Sequence, residues 1–209
     1  MQRTRIKFCG LTRPADIEAA VRLGVDAIGL VFAPGSPRRV DLATAAALRQ
    51  RIPGLCHCVA LVMDQPYDTV QAIVQTVRPD MLQFHGSESA ADCARFGLPY
   101  IKALGLGGEA ETAVQAFPNA LILTDSHAPG QAGGTGQTFD WNRVADWTRQ
   151  RPVMLAGGLH ADNVESAIAT ARPYAVDVSS GVESAPGIKS IDRMQAFVRA
   201  VQRADQSNH

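Results

Sequence analysis

The chain is 209 residues long, 46% apolar and 19% charged, with 20 acidic residues against 20 Lys plus Arg. That composition excludes a disordered chain, and a chain of this length buries roughly 70% of its extended surface, enough for a core without disulfide or metal staples. A formal net charge of zero with no block of Lys or Arg removes the field that phosphate-backbone binding needs, so no nucleic-acid partner is expected. No apolar run approaches the roughly 18 residues of a membrane span, so no membrane partner is expected either. The cysteines Cys9, Cys56, Cys58 and Cys93 form no regular framework, and the polar start from Met1 to Arg5 does not read as a signal peptide. A reduced, cytoplasmic protein is the expectation. One domain over 1–209 fits the length, with a short polar tail at about 204–209.

Short apolar runs alternate with segments of helical periodicity. Arg5 to Cys9 is the first run, followed by Ile17, Ala20, Val21 and Leu23 at helical spacing. Asp26 to Phe32 is the second, and Asp41 in Asp-Leu-Ala-Thr opens the helix after it. His57 to Met63 precedes the helical set Val70, Ile73, Val74 and Val77, and Met81 to His85 precedes a helix start at Ser87-Glu88. The fifth to eighth runs are Tyr100 to Leu104, Ala120 to Asp125, Val153 to Ala156 and Ala175 to Ser179. Between the last two, Asp162-Asn163 opens a helix through Val164, Ala167, Ile168 and Ala171. Strand starts step from residue 5 to residue 175, about 24 residues per unit. Eight such units predict an α/β protein, a closed parallel (β/α)8 TIM barrel, at the short end of a range that reaches down to about 200 residues. An open doubly wound sheet would carry a Gly-x-Gly-x-x-Gly turn after its first strand, where Cys9-Gly10-Leu11-Thr12 stands instead.

In a barrel the chemistry sits at the C-terminal strand ends. Gly157-Gly158 after the seventh strand and Ser179-Ser180-Gly181 after the eighth put small residues and hydroxyls where backbone N–H groups can approach a phosphate. Two tight strand–helix turns that need glycine only for geometry are the alternative. Cys9 closes the first strand on the face that also carries Lys7, whose ammonium would favour a thiolate able to act as base or nucleophile. A small buried hydrophobe is the other fate of such a thiol. Asp125 ends the sixth strand before a glycine-containing loop from His127 to Thr138, and a carboxylate there would serve as general acid or cap its own turn. Arg38 and Arg39 follow Pro34-Gly35-Ser36-Pro37, placing guanidinium groups where they would pair with a substrate carboxylate or stay solvated. His85 would donate to substrate or satisfy a core hydrogen bond. Cys56-His57-Cys58 has no second ligand pair at zinc spacing, so no metal is expected there, and Cys93 reads as helix packing.

Read together, the strand ends resemble the phosphoribosylanthranilate isomerase family of tryptophan biosynthesis. The resemblance rests on Lys7-Phe8-Cys9-Gly10-Leu11-Thr12, Gly29-Leu30-Val31-Phe32 with Ser36-Pro37-Arg38, and Leu82-Gln83-Phe84-His85-Gly86. It continues through Gly133-Gly134-Thr135-Gly136 before Phe139-Asp140-Trp141, Ala156-Gly157-Gly158-Leu159, and Asp177-Val178-Ser179-Ser180-Gly181-Val182-Glu183. It implies an Amadori rearrangement of N-(5-phosphoribosyl)anthranilate in which Asp125 protonates the ring oxygen and Cys9 removes the C2 proton. It implies that Arg38 contacts the anthranilate carboxylate, and that His85 and Asp177 contact the substrate. Gly157, Gly158, Ser179, Ser180 and Gly181 then form the phosphate cradle. No redox change occurs, so no cofactor is implied; the partner is a small-molecule substrate, and the assembly a monomer or homodimer. The alternatives are another sugar-phosphate barrel, such as indole-glycerol-phosphate synthase with its lysine acid and base, or a phosphate-ligand-binding barrel without catalysis. This chain has only Lys7, Lys102 and Lys189.

Overall fold

The computed structural model describes residues 3–105, 114–125 and 141–207. Eight parallel strands close into a barrel in sequence order: β1 (Arg5–Cys9), β2 (Ala27–Val31), β3 (His57–Val62), β4 (Met81–Phe84), β5 (Tyr100–Gly105), β6 (Leu121–Asp125), β7 (Val153–Leu155) and β8 (Ala175–Val178). Pairing of β1 with β8 shuts the barrel, with Lys7 opposite Asp177. The sequence reading therefore holds for all eight strands, with ends displaced by a residue or so.

Period-two alternation divides each strand between two cores. Ile6 and Phe8 face outward into the layer between barrel and helices, where Phe8 meets Phe197 edge-to-face at 6.0 Å. Val59, Ile101, Leu123, Met154 and Ala175 fill the lower barrel as a second cluster. Above them the interior opens among Cys9, Val31, Ala33 and Leu61. The barrel is thus a packed plug with its free space at the C-terminal mouth.

The described helices are α1 (Pro14–Arg22), α2 (Leu42–Arg49), α3 (Tyr67–Val77), α4 (Ala90–Ala94), α5 (Asn142–Thr148), α6 (Val164–Ala171) and α7 (Ile191–Ser207). Asp41 caps α2 as expected, accepting from Thr44 N at 2.7 Å. The start expected at Ser87 moves to Ser89, which forms a reciprocal capping box with Asp92. Ser87 is committed elsewhere: its N and Oγ donate to Asp64 Oδ1 at 2.7 and 2.8 Å, tying two mouth loops together. The stretch read as a polar tail is helical through Ser207, because Ala204 is buried and Asp205 accepts from Thr4 N and Thr4 Oγ1. A feature without a sequence signal is a small antiparallel hairpin after β8, β9 (Glu183–Ala185) with β10 (Ile188–Lys189), entered through a 3-10 turn at Ser180–Val182. No helix among the described residues is long and apolar enough to cross a membrane.

Candidate active site

A cavity of about 470 Å³ occupies the C-terminal mouth. Cys9, Arg38, His85, Gly157, Gly158, Asp177, Ser179 and Ser180, singled out from the sequence at five different strand ends, all line it. Asp125 is the last residue of β6, in register with Gly105 at the same end of the barrel. Its side chain lies outside the described residues, as does the loop from His127 to Thr138 with Gly133 to Gly136 and Phe139-Asp140. Gly181 does not line the cavity; a Cβ there would stand 1.9 Å from the Leu159 carbonyl oxygen. Its bare backbone lets the β8 loop close onto the β7 loop.

Cys9 is 5% exposed and sits above an ion pair sealed in the barrel, with Lys7 Nζ 2.8 Å from Asp177 Oδ1. The expectation that Lys7 would favour a Cys9 thiolate needs correction. Burial pushes the Cys9 thiol above its ordinary value; Lys7 pulls it down, but Asp177 opposes that pull, and the net direction is up. Burial likewise disfavours the Lys7 ammonium, yet Asp177 and Cys9 together hold it above its ordinary value. The resting state is therefore a thiol over a Lys7–Asp177 pair. Gly29 leaves room for this arrangement, since a Cβ at that position would lie 2.8 Å from Cys9 Sγ and 3.2 Å from Lys7 Nζ.

Of the two arginines after β2, Arg39 is exposed and Arg38 turns inward. Arg38 forks onto Glu183, Nε to Oε1 at 2.8 Å and a terminal nitrogen to Oε2 at 2.7 Å. Its stem passes directly over Gly10, where a Cβ would come within 2.4 Å of Arg38 Cδ. Glu183 also accepts from Lys189 at 2.7 Å, and Lys189 donates to the carbonyl oxygens of Cys9 at 2.6 Å and Ser179 at 3.0 Å. Burial works against the Glu183 carboxylate, but the two cations outweigh it and hold its pKa below the ordinary value. Burial moves Lys189 down, with Glu183 opposing. One buried network thus joins the end of β1, the end of β8, the β2 loop and the hairpin.

After β7, Gly157 (φ 86°) and Gly158 (φ 64°) both adopt left-handed backbone that other residues adopt only with strain. The Gly158 carbonyl accepts from Asn163 Nδ2 at 2.9 Å, fixing the turn into α6. Ser179 Oγ donates to the Cys9 carbonyl at 3.0 Å, tying the turn after β8 to the thiol-bearing backbone.

Several residues of the site escaped sequence reasoning. Glu183 and Lys189 received no role, although all three lysines of the chain are buried (Lys7 1%, Lys102 2%, Lys189 3% exposed), and a chain that otherwise uses arginine offered that scarcity as a signal. Lys102 donates to the Gly86 carbonyl at 2.6 Å and to Glu88 at 2.9 Å, holding the loop that follows His85. His85 itself lines the cavity, with Nδ1 3.3 Å from Gln83 Nε2. Cys56 and Cys58 are buried in the helix-facing layer, their thiols pushed up to about 11 and about 12, while His57 is exposed. Cys93 is buried on α4.

Comparison with known proteins follows the same lines. The family model described as N-(5'-phosphoribosyl)anthranilate (PRA) isomerase matches residues 6–200. N-(5'-phosphoribosyl)anthranilate isomerase of Xanthomonas campestris pv. campestris is 53% identical over 214 residues, covering 98% of this chain and 96% of the relative. The crystal structure of phosphoribosyl anthranilate isomerase from Thermotoga maritima superposes with a TM-score of 0.89 at 32% identity, covering 96% of this chain and 99% of the other. A crystal structure of phosphoribosyl anthranilate isomerase in complex with reduced 1-(o-carboxyphenylamino)-1-deoxyribulose 5-phosphate gives 0.85 at 31% identity, with the same coverage.

Proposed function

The chain belongs to the N-(5'-phosphoribosyl)anthranilate isomerase family, and on that premise we propose that its barrel mouth converts N-(5-phospho-β-D-ribosyl)anthranilate to 1-(2-carboxyphenylamino)-1-deoxy-D-ribulose 5-phosphate. The step belongs to tryptophan biosynthesis in the cytoplasm, and the partner is a small-molecule substrate. One observation carries the residue assignments: Cys9, Arg38, Asp177 and the two glycine- and serine-bearing turns converge on a single cavity, at the barrel end where β6 finishes with Asp125.

The substrate phosphate lies against Gly157, Gly158, Ser179 and Ser180, where backbone N–H groups and the Ser180 hydroxyl donate to it, with Gly181 allowing the two loops to meet. The aryl ring lies on the apolar surface of Val31, Ala33, Leu61 and Met63. Its carboxylate reaches Arg38, and Glu183 holds that guanidinium in place from behind. Asp125 gives its proton to the ring oxygen; the C1–O bond breaks as the nitrogen lone pair forms the C1=N bond, leaving a protonated Schiff base. The positive charge so formed stands close to Cys9 and favours its thiolate, the thiol giving up its proton to solvent. Cys9 then takes the C2 proton, and the C2–H electrons become the C1=C2 bond of an enolamine as the C1=N electrons return to nitrogen. Protonation at C1 and loss of the enol proton yield the ketone. Acid and base each act mainly in the transition state.

Kinetics of Cys9→Ser and Asp125→Ala test this reading. Each variant is expected to lose roughly 100- to 10,000-fold in kcat, while affinity for the reduced product analogue stays near wild type. Loss of analogue affinity in proportion to rate would count against both roles.

A further inference from the structure

Gln83 stands on β4 between Leu61 of β3 and Ile101 of β5 in register, on the inward face of the barrel. It is 1% exposed and lines the cavity. Its Nε2 lies 3.3 Å from His85 Nδ1, and its carbonyl oxygen Oε1 is buried with no hydrogen-bond partner among the described residues. A buried amide oxygen left without a donor is costly, and native cores rarely tolerate one without a reason. The other buried polar groups of this site are paired: Lys7 with Asp177, Arg38 and Lys189 with Glu183. The unmet acceptor is in the wall of the ligand cavity, where a donor on the ligand can reach it.

Resting on the isomerase reading above, we propose that Gln83 is a further catalytic residue that accepts a hydrogen bond from the N–H joining the aryl ring to the sugar. The placement follows from neighbours. Leu61, the residue paired with Gln83 across the strands, belongs to the apolar surface assigned to the aryl ring, whereas the phosphate turns lie across the mouth on β7 and β8. The nitrogen is one bond from the ring and keeps a hydrogen from substrate through Schiff base to product. Ring opening turns that neutral donor into a cationic one, and a hydrogen bond to a charged donor is about twice as strong. Gln83 therefore binds the protonated Schiff base more tightly than the substrate and keeps its proton on nitrogen, where the iminium draws electrons from C2.

Gln83→Met keeps the length of the side chain and removes the acceptor. It is expected to lower kcat roughly 10- to 100-fold with a much smaller change in KM, because the bond strengthens only after ring opening. A variant that turns over within threefold of wild type overturns the proposal. A measurement on the unaltered protein guards against a Gln83→Met chain that fails to fold: the reduced product analogue is compared by calorimetry with the same molecule carrying an ether oxygen in place of the amine N–H. About tenfold weaker binding of the ether is expected, and equal affinity overturns the assignment. Failure of wild type to turn over the substrate or bind either analogue removes the isomerase reading and this inference with it, whereas normal turnover with equal affinities removes this inference alone.

Discussion

Replacing Lys189 with methionine tests the network that joins the strand ends. The ammonium is fully buried and donates to Cys9 O at 2.6 Å, Ser179 O at 3.0 Å and Glu183 Oε1 at 2.7 Å. Methionine keeps the bulk of the stem and deletes all three bonds. Breaking a buried ion pair from one side costs about 3–5 kcal/mol when the other charge is stranded. Glu183 is not stranded, since Arg38 still forks onto it, and Cys9 O still accepts from Ser179 Oγ. The loss is therefore set at the lower end, ~3 kcal/mol, or a fall in Tm of about 6–12 °C for a chain of this size. Thermal and urea unfolding followed by circular dichroism, with Glu183→Gln and the double variant completing a cycle, give both the loss and the coupling. A coupling of about 1–3 kcal/mol is expected for side chains in one network. A Lys189→Met protein within 1 °C of wild type, or a cycle that is simply additive, would refute the argument that these bonds contribute to stability.

Four further outcomes follow from the structure. Gly29→Ala brings a methyl to 2.8 Å from Cys9 Sγ and is expected to cost about 1–3 kcal/mol while displacing the thiol, so kcat falls with the fold retained in circular dichroism. Because burial and Asp177 hold Cys9 above its ordinary value of 9.0, its alkylation by iodoacetamide is slow at neutral pH and rises only above pH 9. Asp177→Asn removes the opposing charge and is expected to speed alkylation at pH 7. Gly181→Ala forces a Cβ against the Leu159 carbonyl at 1.9 Å, parting the two phosphate turns; steady-state kinetics should show KM rising more than kcat falls.

The barrel was legible because the strands are short apolar runs at nearly even spacing and the intervening helices repeat a 3.6-residue period. Strand-end residues were legible because barrel topology sends every C-terminal strand end to one mouth, so Cys9, Arg38, His85, Asp177 and Ser179 needed no tertiary guess to be grouped. Alternation placed Lys7 beside Cys9 correctly, but it could not show that Asp177, 170 residues away, meets the same ammonium and changes the state of the thiol. The hairpin that brings Glu183 to Arg38 and Lys189 to Cys9 carries too few residues for any periodic signal. The α4 cap slid from Ser87 to Ser89 for a similar reason, since a partner in another loop claims the first serine.

The most direct test of the central claim follows the C2 hydrogen itself. Phosphoribosylanthranilate deuterated at C2 is turned over in ordinary water by wild type and by Cys9→Ser, with product analysed by mass spectrometry and NMR. The account predicts that wild type slows relative to the unlabelled substrate and yields the ketose with its C2 deuterium gone, while Cys9→Ser yields almost no product on the same timescale. Wild-type speed in Cys9→Ser would contradict it.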